Sequence, residues 1–170
     1  PRVFMNKPVQ KRFHSFDQSS RFTSACGISI YRDQRLFPLE PGLTHAFTCE
    51  PFHNVVQHHV ITDFGVSYQG RRAHEDGDKD FYASSDRWSR PVMTRTGPDG
   101  GLYIVDMYRY MIEHPDWLPE TGKHELKSFY RSGEDYGRIY RVSPVSGPAS
   151  TGEWEALNDS DSLLRAIRSE

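Results

Sequence analysis

The most constraining feature of this sequence is a series of short runs in which apolar and polar residues alternate. Because successive side chains of a strand point to opposite faces, alternation with a period of two predicts strands with one buried face. The runs are 24–31, 45–51, 54–61, 66–72, 80–85, 90–97, 102–108 and 137–143. Turn-forming residues separate them, as in "EPG" at 40–42 and "GPDG" at 97–100. Short, evenly spaced strands with such turns predict an all-β fold: a sandwich, a barrel or a propeller.

Composition agrees with this prediction and excludes some partners. Aromatic residues make up 13% of the chain, and aromatic side chains suit the packed face of a sheet. Twenty-one basic against 23 acidic residues leave a net charge of −2, so nothing predicts binding to nucleic acid or to an anionic membrane surface. The chain contains no apolar run of about 18 residues, so we predict no transmembrane segment.

A weak internal repeat favours the propeller. Four predicted strands fill 24–72, and three more fill 90–143 around a long excursion. Each unit has roughly the 40–50 residues of a propeller blade. Since a ring needs about four to eight blades, we expect this chain to be a fragment of a longer polypeptide, the C-terminal blades of its propeller.

Two segments break the alternating pattern. The excursion 109–136 is too long for a hairpin turn, and long loops in compact domains often carry function. "SPVSGPASTGEWE" reads as a linker, and "DSDSLLRAIRSE" has the N-cap residues and apolar spacing of a helix. We therefore divide the chain into a partial propeller at 1–144, a linker at 145–158 and the start of an α-helical region at 159–170.

The stretch "CEPFH" at 49–53 differs by one residue from C-x-x-C-H, the attachment motif of a c-type haem. Phe52 stands where the second thiol is needed, so no haem attachment is predicted. His58 and His59 point to opposite faces of a strand, which argues against a zinc site and favours ordinary solvated histidines. His53 follows Pro51 at a strand corner and is the better functional candidate.

Acidic residues offer further candidates. "HEDGDKD" at 74–80 alternates aspartates but lacks the glycine and glutamate of a calcium-binding EF-hand loop, so a solvated hairpin tip is favoured. Asp106 lies among apolar strand residues and needs an arginine or backbone donors, with Arg109 as a nearby option. Asp106 either holds neighbouring blades together or binds a ligand in the central channel of the propeller. In the excursion, Glu113 and His114 are candidate functional residues. The alternative is that they belong to a surface loop packed by its own aromatic side chains.

The segments "TSACGISIYRD", "FTCEPFHNVVQHHVI", "ASSDRWSRPVMTRTGPDGGLYIVDMYRYMIEHPDWLP" and "GRIYRVSP" resemble the membrane-bound dehydrogenase family of planctomycete-type bacteria. The resemblance covers roughly 21–144. It implies a six-bladed propeller related to quinoprotein glucose/sorbosone dehydrogenases, followed by HEAT-like helices and a c-type haem domain beyond this chain. It also implies a periplasmic or membrane-associated oxidoreductase that oxidises a sugar or another alcohol and passes electrons to that haem.

By this resemblance Arg90 is the arginine that reaches pyrroloquinoline quinone or substrate, with Asp86, Arg95 and Asp106 as its neighbours. The planar guanidinium can donate hydrogen bonds to quinone or carboxylate oxygens. The structural alternative is that Arg90 links neighbouring blades through a carboxylate. Calcium would accompany the quinone, and His53 or His114 would be the catalytic candidates.

The sequence leaves two alternatives open. Cys26 and Cys49 near the starts of successive strands form either a disulfide or two buried thiols. The rival function is a non-catalytic propeller that binds polysaccharide or a partner protein.

Overall fold

The computed structural model describes residues 2–6, 20–114, 116 and 118–145. Its described strands and helices are β1 Cys26–Tyr31, β2 Leu43–Glu50, β3 Val55–Phe64, β4 Ser67–Arg72, β5 Tyr82–Ala83, β6 Pro91–Thr96, β7 Leu102–Asp106, α1 Glu120–Leu126, a short 3-10 helix Lys127–Phe129 and β8 Arg138–Val142. Antiparallel strands dominate, so the all-β prediction is confirmed at this level. The predicted linker from 146 onwards and the predicted helix at 159–170 lie outside the described residues.

The first sheet is an antiparallel meander in the order β1-β2-β3-β4. Strand β3 is long enough to pair with two partners along the same side: β4 pairs with 59–64, and β5 pairs with Val55 and Val56. Gly65, with φ of 61°, is the first residue of the two-residue connection between β3 and β4. A hairpin turn of that length needs a positive φ there, which glycine adopts without steric cost.

The second sheet is a three-stranded antiparallel meander, β6-β7-β8. The excursion between β7 and β8 contains α1, which the alternating pattern did not predict. Met111, Leu118 and Leu126 are buried together beneath it, with Tyr110 packed against them. The excursion therefore has a small core of its own.

One apolar core joins the two sheets. Its buried members are Tyr31, Phe47, Cys49, Val56, Leu102 and Ile104, which come from β1, β2, β3 and β7. The Tyr31 hydroxyl donates a hydrogen bond of 2.6 Å to the carbonyl of Gly100, in the turn before β7. Ser29 and Thr94 hydroxyls are also hydrogen-bonded between β1 and β6. Apolar burial and these polar links together fix one sheet against the other.

Cys26 and Cys49 are directly opposite each other in the β1–β2 register, and both are free thiols. Cys49 is fully buried, whereas Cys26 is half-buried and its Sγ lies 3.5 Å from the Val92 carbonyl oxygen. Of the two possibilities left open by the sequence, the structure therefore describes two thiols.

The segment 74–80 is not a purely solvated tip, because Asp80 turns inward. Its carboxylate accepts hydrogen bonds from the Phe4 amide at 2.7 Å and Gln57 Nε2 at 3.1 Å, and it pairs with Arg72 at 3.1 Å. A buried carboxylate needs such partners, and these tie residues 2–6 to the first sheet.

Among the described residues, no helix has the length and apolar character that crossing a bilayer requires.

Candidate functional site

The candidate site is the corner that joins β2 to β3, residues 50–54. Glu50 and His53 are both buried there, and His53 Nδ1 lies 3.0 Å from Glu50 Oε1. The backbone reverses at Asn54, which has φ of 62°, a conformation that asparagine tolerates better than most residues. Asn54 Nδ2 donates to the carbonyl of Ser89, which fastens the corner to the segment before β6.

Glu50 is oriented by groups from the segment before β1. The Ser24 amide donates to Oε2 at 2.8 Å, and the Thr23 hydroxyl donates to Oε1 at 3.2 Å. Because Oε1 also faces the histidine, the Glu50 carboxylate favours the tautomer with the proton on His53 Nδ1. His53 Nε2 is then left as an acceptor, and it is buried with no hydrogen-bond partner in the described part of the chain.

Arg90 lies against the same corner. Its guanidinium donates to four backbone carbonyls: Pro51 at 3.0 Å, Phe52 at 3.3 Å, Arg109 at 2.9 Å and Tyr110 at 2.7 Å. Burial lowers the pKa of Arg90, and the carboxylates of Glu113, Asp106 and Asp86 act in the opposite direction. Arg90 thus connects the His53 corner to the start of the excursion.

Asp106 and Asp86 meet at Arg138. Asp106 Oδ1 accepts hydrogen bonds from the amides of Arg90 at 2.6 Å and Tyr108 at 2.9 Å, and Oδ2 accepts from Arg138 Nη2 at 2.8 Å. The same Nη2 lies 3.1 Å from Asp86 Oδ2. Asp106 therefore has both kinds of partner that the sequence required, with Arg138 as the arginine. Arg109 instead donates to carbonyls such as that of Met107.

Arg95 and His114 lie elsewhere on the surface. Arg95 is exposed in β6, and its Nη1 donates to the carbonyl of Thr94 at 2.9 Å. The His114 side chain is 59% exposed and lies 3.7 Å from the Asp116 carboxylate. The structure thus groups His53, Arg90, Asp86 and Asp106 and leaves these two on the outside.

The predicted quinone ligands do not fit a quinone in this arrangement. The Arg90 guanidinium already donates hydrogen bonds to four backbone carbonyls. The carboxylates of Asp86 and Asp106 form ion pairs with Arg138. A quinone cofactor needs donors that are free to meet its oxygens. We therefore assign no chemical step to a quinone or its calcium ion at these residues.

Sequence reasoning missed Glu50 as the partner of His53. The available signal was their spacing: Glu-Pro-Phe-His across a Pro-containing corner brings positions three apart together. It also missed His45 and Arg138, whose partners are 13 and 32 residues away along the chain.

Taken together, fold and site define an all-β protein in which an antiparallel meander carries a buried glutamate–histidine pair at a strand corner. The chain belongs to the family described as Domain of unknown function (DUF7133), whose model matches residues 1–146. No curated protein and no solved structure matches the chain significantly.

Proposed function

We propose that this chain is part of an oxidoreductase that acts on a sugar or another alcohol, with His53 as the base that accepts the hydroxyl proton. The proposal is supported by the resemblance in sequence and, above all, by the Glu50–His53 pair. Alcohol oxidation removes the hydroxyl proton, which needs an acceptor of suitable basicity, and a hydride from the same carbon, whose two electrons go to an external oxidant such as the dye of the assay below. An imidazole whose Nδ1 proton is directed to a carboxylate presents Nε2 for this purpose.

Glu50 has two roles in this proposal. It fixes the orientation and tautomer of the ring, and its charge stabilises the imidazolium that forms when Nε2 takes a proton. The hydrogen bonds from Ser24 and Thr23 keep the carboxylate in place while this happens. The periplasmic or membrane-associated location and the transfer of electrons to a haem domain belong to the same proposal and rest on the resemblance alone.

A non-catalytic binding module is the second candidate function, and two observations favour it. Arg90, Asp106 and Arg138 satisfy one another and the backbone within the fold, as residues that hold strands together do. His53 is only 2% exposed, which also suits a purely structural pair. This module would bind polysaccharide or a partner protein through its outer surface.

The two candidates are separated by an assay of aldose-dependent dye reduction, run with and without added pyrroloquinoline quinone and calcium. We expect activity in the unmodified protein and a loss of about 100-fold or more in His53→Gln, because glutamine cannot accept the proton. Glu50→Gln is expected to lower the rate and to change its pH profile.

His74→Gln is the matched control, since His74 is exposed in the segment after β4 and should leave the rate unchanged. Circular dichroism checks that each variant folds. Dye reduction that is absent from the unmodified protein, together with saturable polysaccharide binding, would support the binding module instead.

A further inference from the structure

Two histidines of the first sheet face each other away from the Glu50–His53 corner. His45 in β2 is paired with Val60, so His58 in β3 is its diagonal neighbour on the same face. His45 Nδ1 lies 2.8 Å from His58 Nε2. The expectation that His58 is solvated is wrong, because its side chain is fully buried. Burial follows from the register, which places it over the core.

Aromatic rings hold both imidazoles in position. Phe37 stacks on His45 with ring centroids 4.3 Å apart, and Phe47 stacks on His58 at 4.9 Å. Two neighbouring, preoriented imidazoles are strong ligands for a divalent transition metal when both are neutral.

The segment after β4 brings carboxylates to this pair. Three residues, His45, His58 and Glu75, each offer one ligand atom, and these three atoms lie within 4.8 Å of one another. The other ring nitrogen of His58, Nδ1, lies 3.7 Å from Asp76 Oδ2. Within the described part of the chain, neither of these two atoms has a hydrogen-bond partner. An unpartnered nitrogen on a fully buried side chain is costly, and it points toward the same segment.

We propose that His45, His58 and Glu75 bind one divalent cation of the zinc class, with Asp76 orienting His58. Two imidazole nitrogens on a tetrahedral zinc are each about 2.0–2.1 Å from the metal, and so about 3.3 Å from each other. The nitrogens of His45 and His58 therefore need to separate by only about 0.5 Å from their present 2.8 Å.

Metal binding also requires the proton between these two nitrogens to leave the contact. Histidine carries its proton on either ring nitrogen, so His58 can hold it on Nδ1. Asp76 Oδ2, 3.7 Å away, needs to approach by only about 0.5 Å to accept a hydrogen bond from it. This gives the carboxylate–histidine–metal arrangement that commonly fixes a ligating imidazole.

The ligand set identifies the class of cation. Calcium and magnesium prefer oxygen ligands, whereas two imidazoles and one carboxylate suit zinc and its transition-metal neighbours. Three protein ligands leave a fourth position for water or another small ligand, as in catalytic rather than structural zinc sites. Glu75 is exposed, so solvent reaches the ligand set on the side of this residue.

The test uses the full chain, first stripped of metal with a chelator and then dialysed. Titration calorimetry with zinc chloride is expected to show one site per chain. Cobalt chloride is expected to produce the visible absorption of a four- or five-coordinate ion with nitrogen ligands. Glu75→Gln should weaken zinc binding by more than about 10-fold, and Asp76→Asn by about 10-fold.

Glu40→Gln is the matched control. Glu40 is exposed and acts on His45 through its charge as Glu75 does, but it is not part of the ligand set. Its removal should change zinc affinity less than about 2-fold, since an exposed charge contributes little. His74→Gln is expected to leave the single site intact. The proposal is overturned if no saturable zinc binding occurs, or if zinc affinity is unchanged in Glu75→Gln or in a folded His45→Gln variant. Because Glu75 is exposed, its variant tests the proposal even if His45→Gln does not fold.

Discussion

Cys49 shows at the scale of a single residue how burial makes stability depend on pH. Its side chain is fully buried opposite Cys26. Burial, reinforced by the neighbouring Cys26, raises the pKa of Cys49 from an ordinary 9.0 to about 12. Between these values the unfolded chain releases a thiol proton that the folded chain keeps. Folding then binds a proton, so the contribution of this thiol to stability is complete below pH 9 and falls as pH rises from 9 to 12.

We therefore expect the free energy of unfolding to decrease above pH 9, and part of that decrease to vanish in Cys49→Ala. Between pH 9 and 10 the stability difference between the two proteins should shrink by about 1 kcal/mol, as the unfolded thiol ionises. Urea unfolding at several pH values, under reducing conditions, measures this difference. Tyr140, whose pKa is also raised to about 12, contributes equally to both proteins and cancels. A difference that stays constant with pH would contradict the buried, protonated thiol.

At the scale of the strand, Gly27 controls how β1 meets the second sheet. It has φ of 56°, and the β1–β2 register shifts between Cys26 and Ser29 around it. A Cβ added at this position would clash with the Val92 carbonyl and lie 2.9 Å from the Met93 Cα. Only glycine combines that backbone conformation with so close an approach of another strand.

Gly27→Ala is expected to destabilise the protein by about 2–5 kcal/mol, because backbone strain and overpacking act together. Gly70→Ala is the control: Gly70 is a strand glycine in β4 with open space around its Cα. That variant should stay within about 1 kcal/mol of the unmodified protein. Denaturant midpoints compare the two, and equal midpoints would show that β1 and β6 can move apart without cost.

The same scale explains how much of the fold could be predicted from sequence. Strands such as β7 and β8 follow from alternation alone, since that signal is local. The bulge at Gly27 could not be predicted, because its cause is a strand more than 60 residues away. Helix α1 was missed because "ETGKHEL" has few apolar residues, and its N-terminus follows Pro119 without a side-chain cap.

The candidate sites divide in the same way. The position of His53 at a strand corner could be predicted because Pro51 lies two residues before it, whereas its contact with Glu50 was missed although the two are only three residues apart. The contacts of Arg90 could not be predicted, because two of the carbonyls that accept its hydrogen bonds are 38 and 39 residues away along the chain. The His45–His58 pair depends on the register of β2 and β3, because the register decides which residues become diagonal neighbours. A pattern of residue types leaves that register undetermined.

For the whole molecule, the important property is that one core is shared by both sheets. Ile104 of β7 is fully buried in the cluster that also contains Tyr31, Phe47 and Val56 of the first sheet. Strand β6 contacts both β1 and β2, so in the part of the chain that the structure describes the two sheets share one apolar interior. Since domains unfold as units when their buried surface is shared, we expect the two sheets to unfold in one transition.

Ile104→Ala tests this coupling, because it removes side-chain volume from the shared core at a position on the second sheet. We expect a loss of about 2–5 kcal/mol. Ile139→Ala is the matched control, since Ile139 lies in β8 of the same sheet and is 68% exposed. It should cost less than about 1 kcal/mol. Hydrogen exchange followed by residue gives the decisive measurement. Shared packing requires Ile104→Ala to lower protection in β2 and β3 as much as in β7, whereas loss confined to β6–β8 would mean that the sheets fold independently.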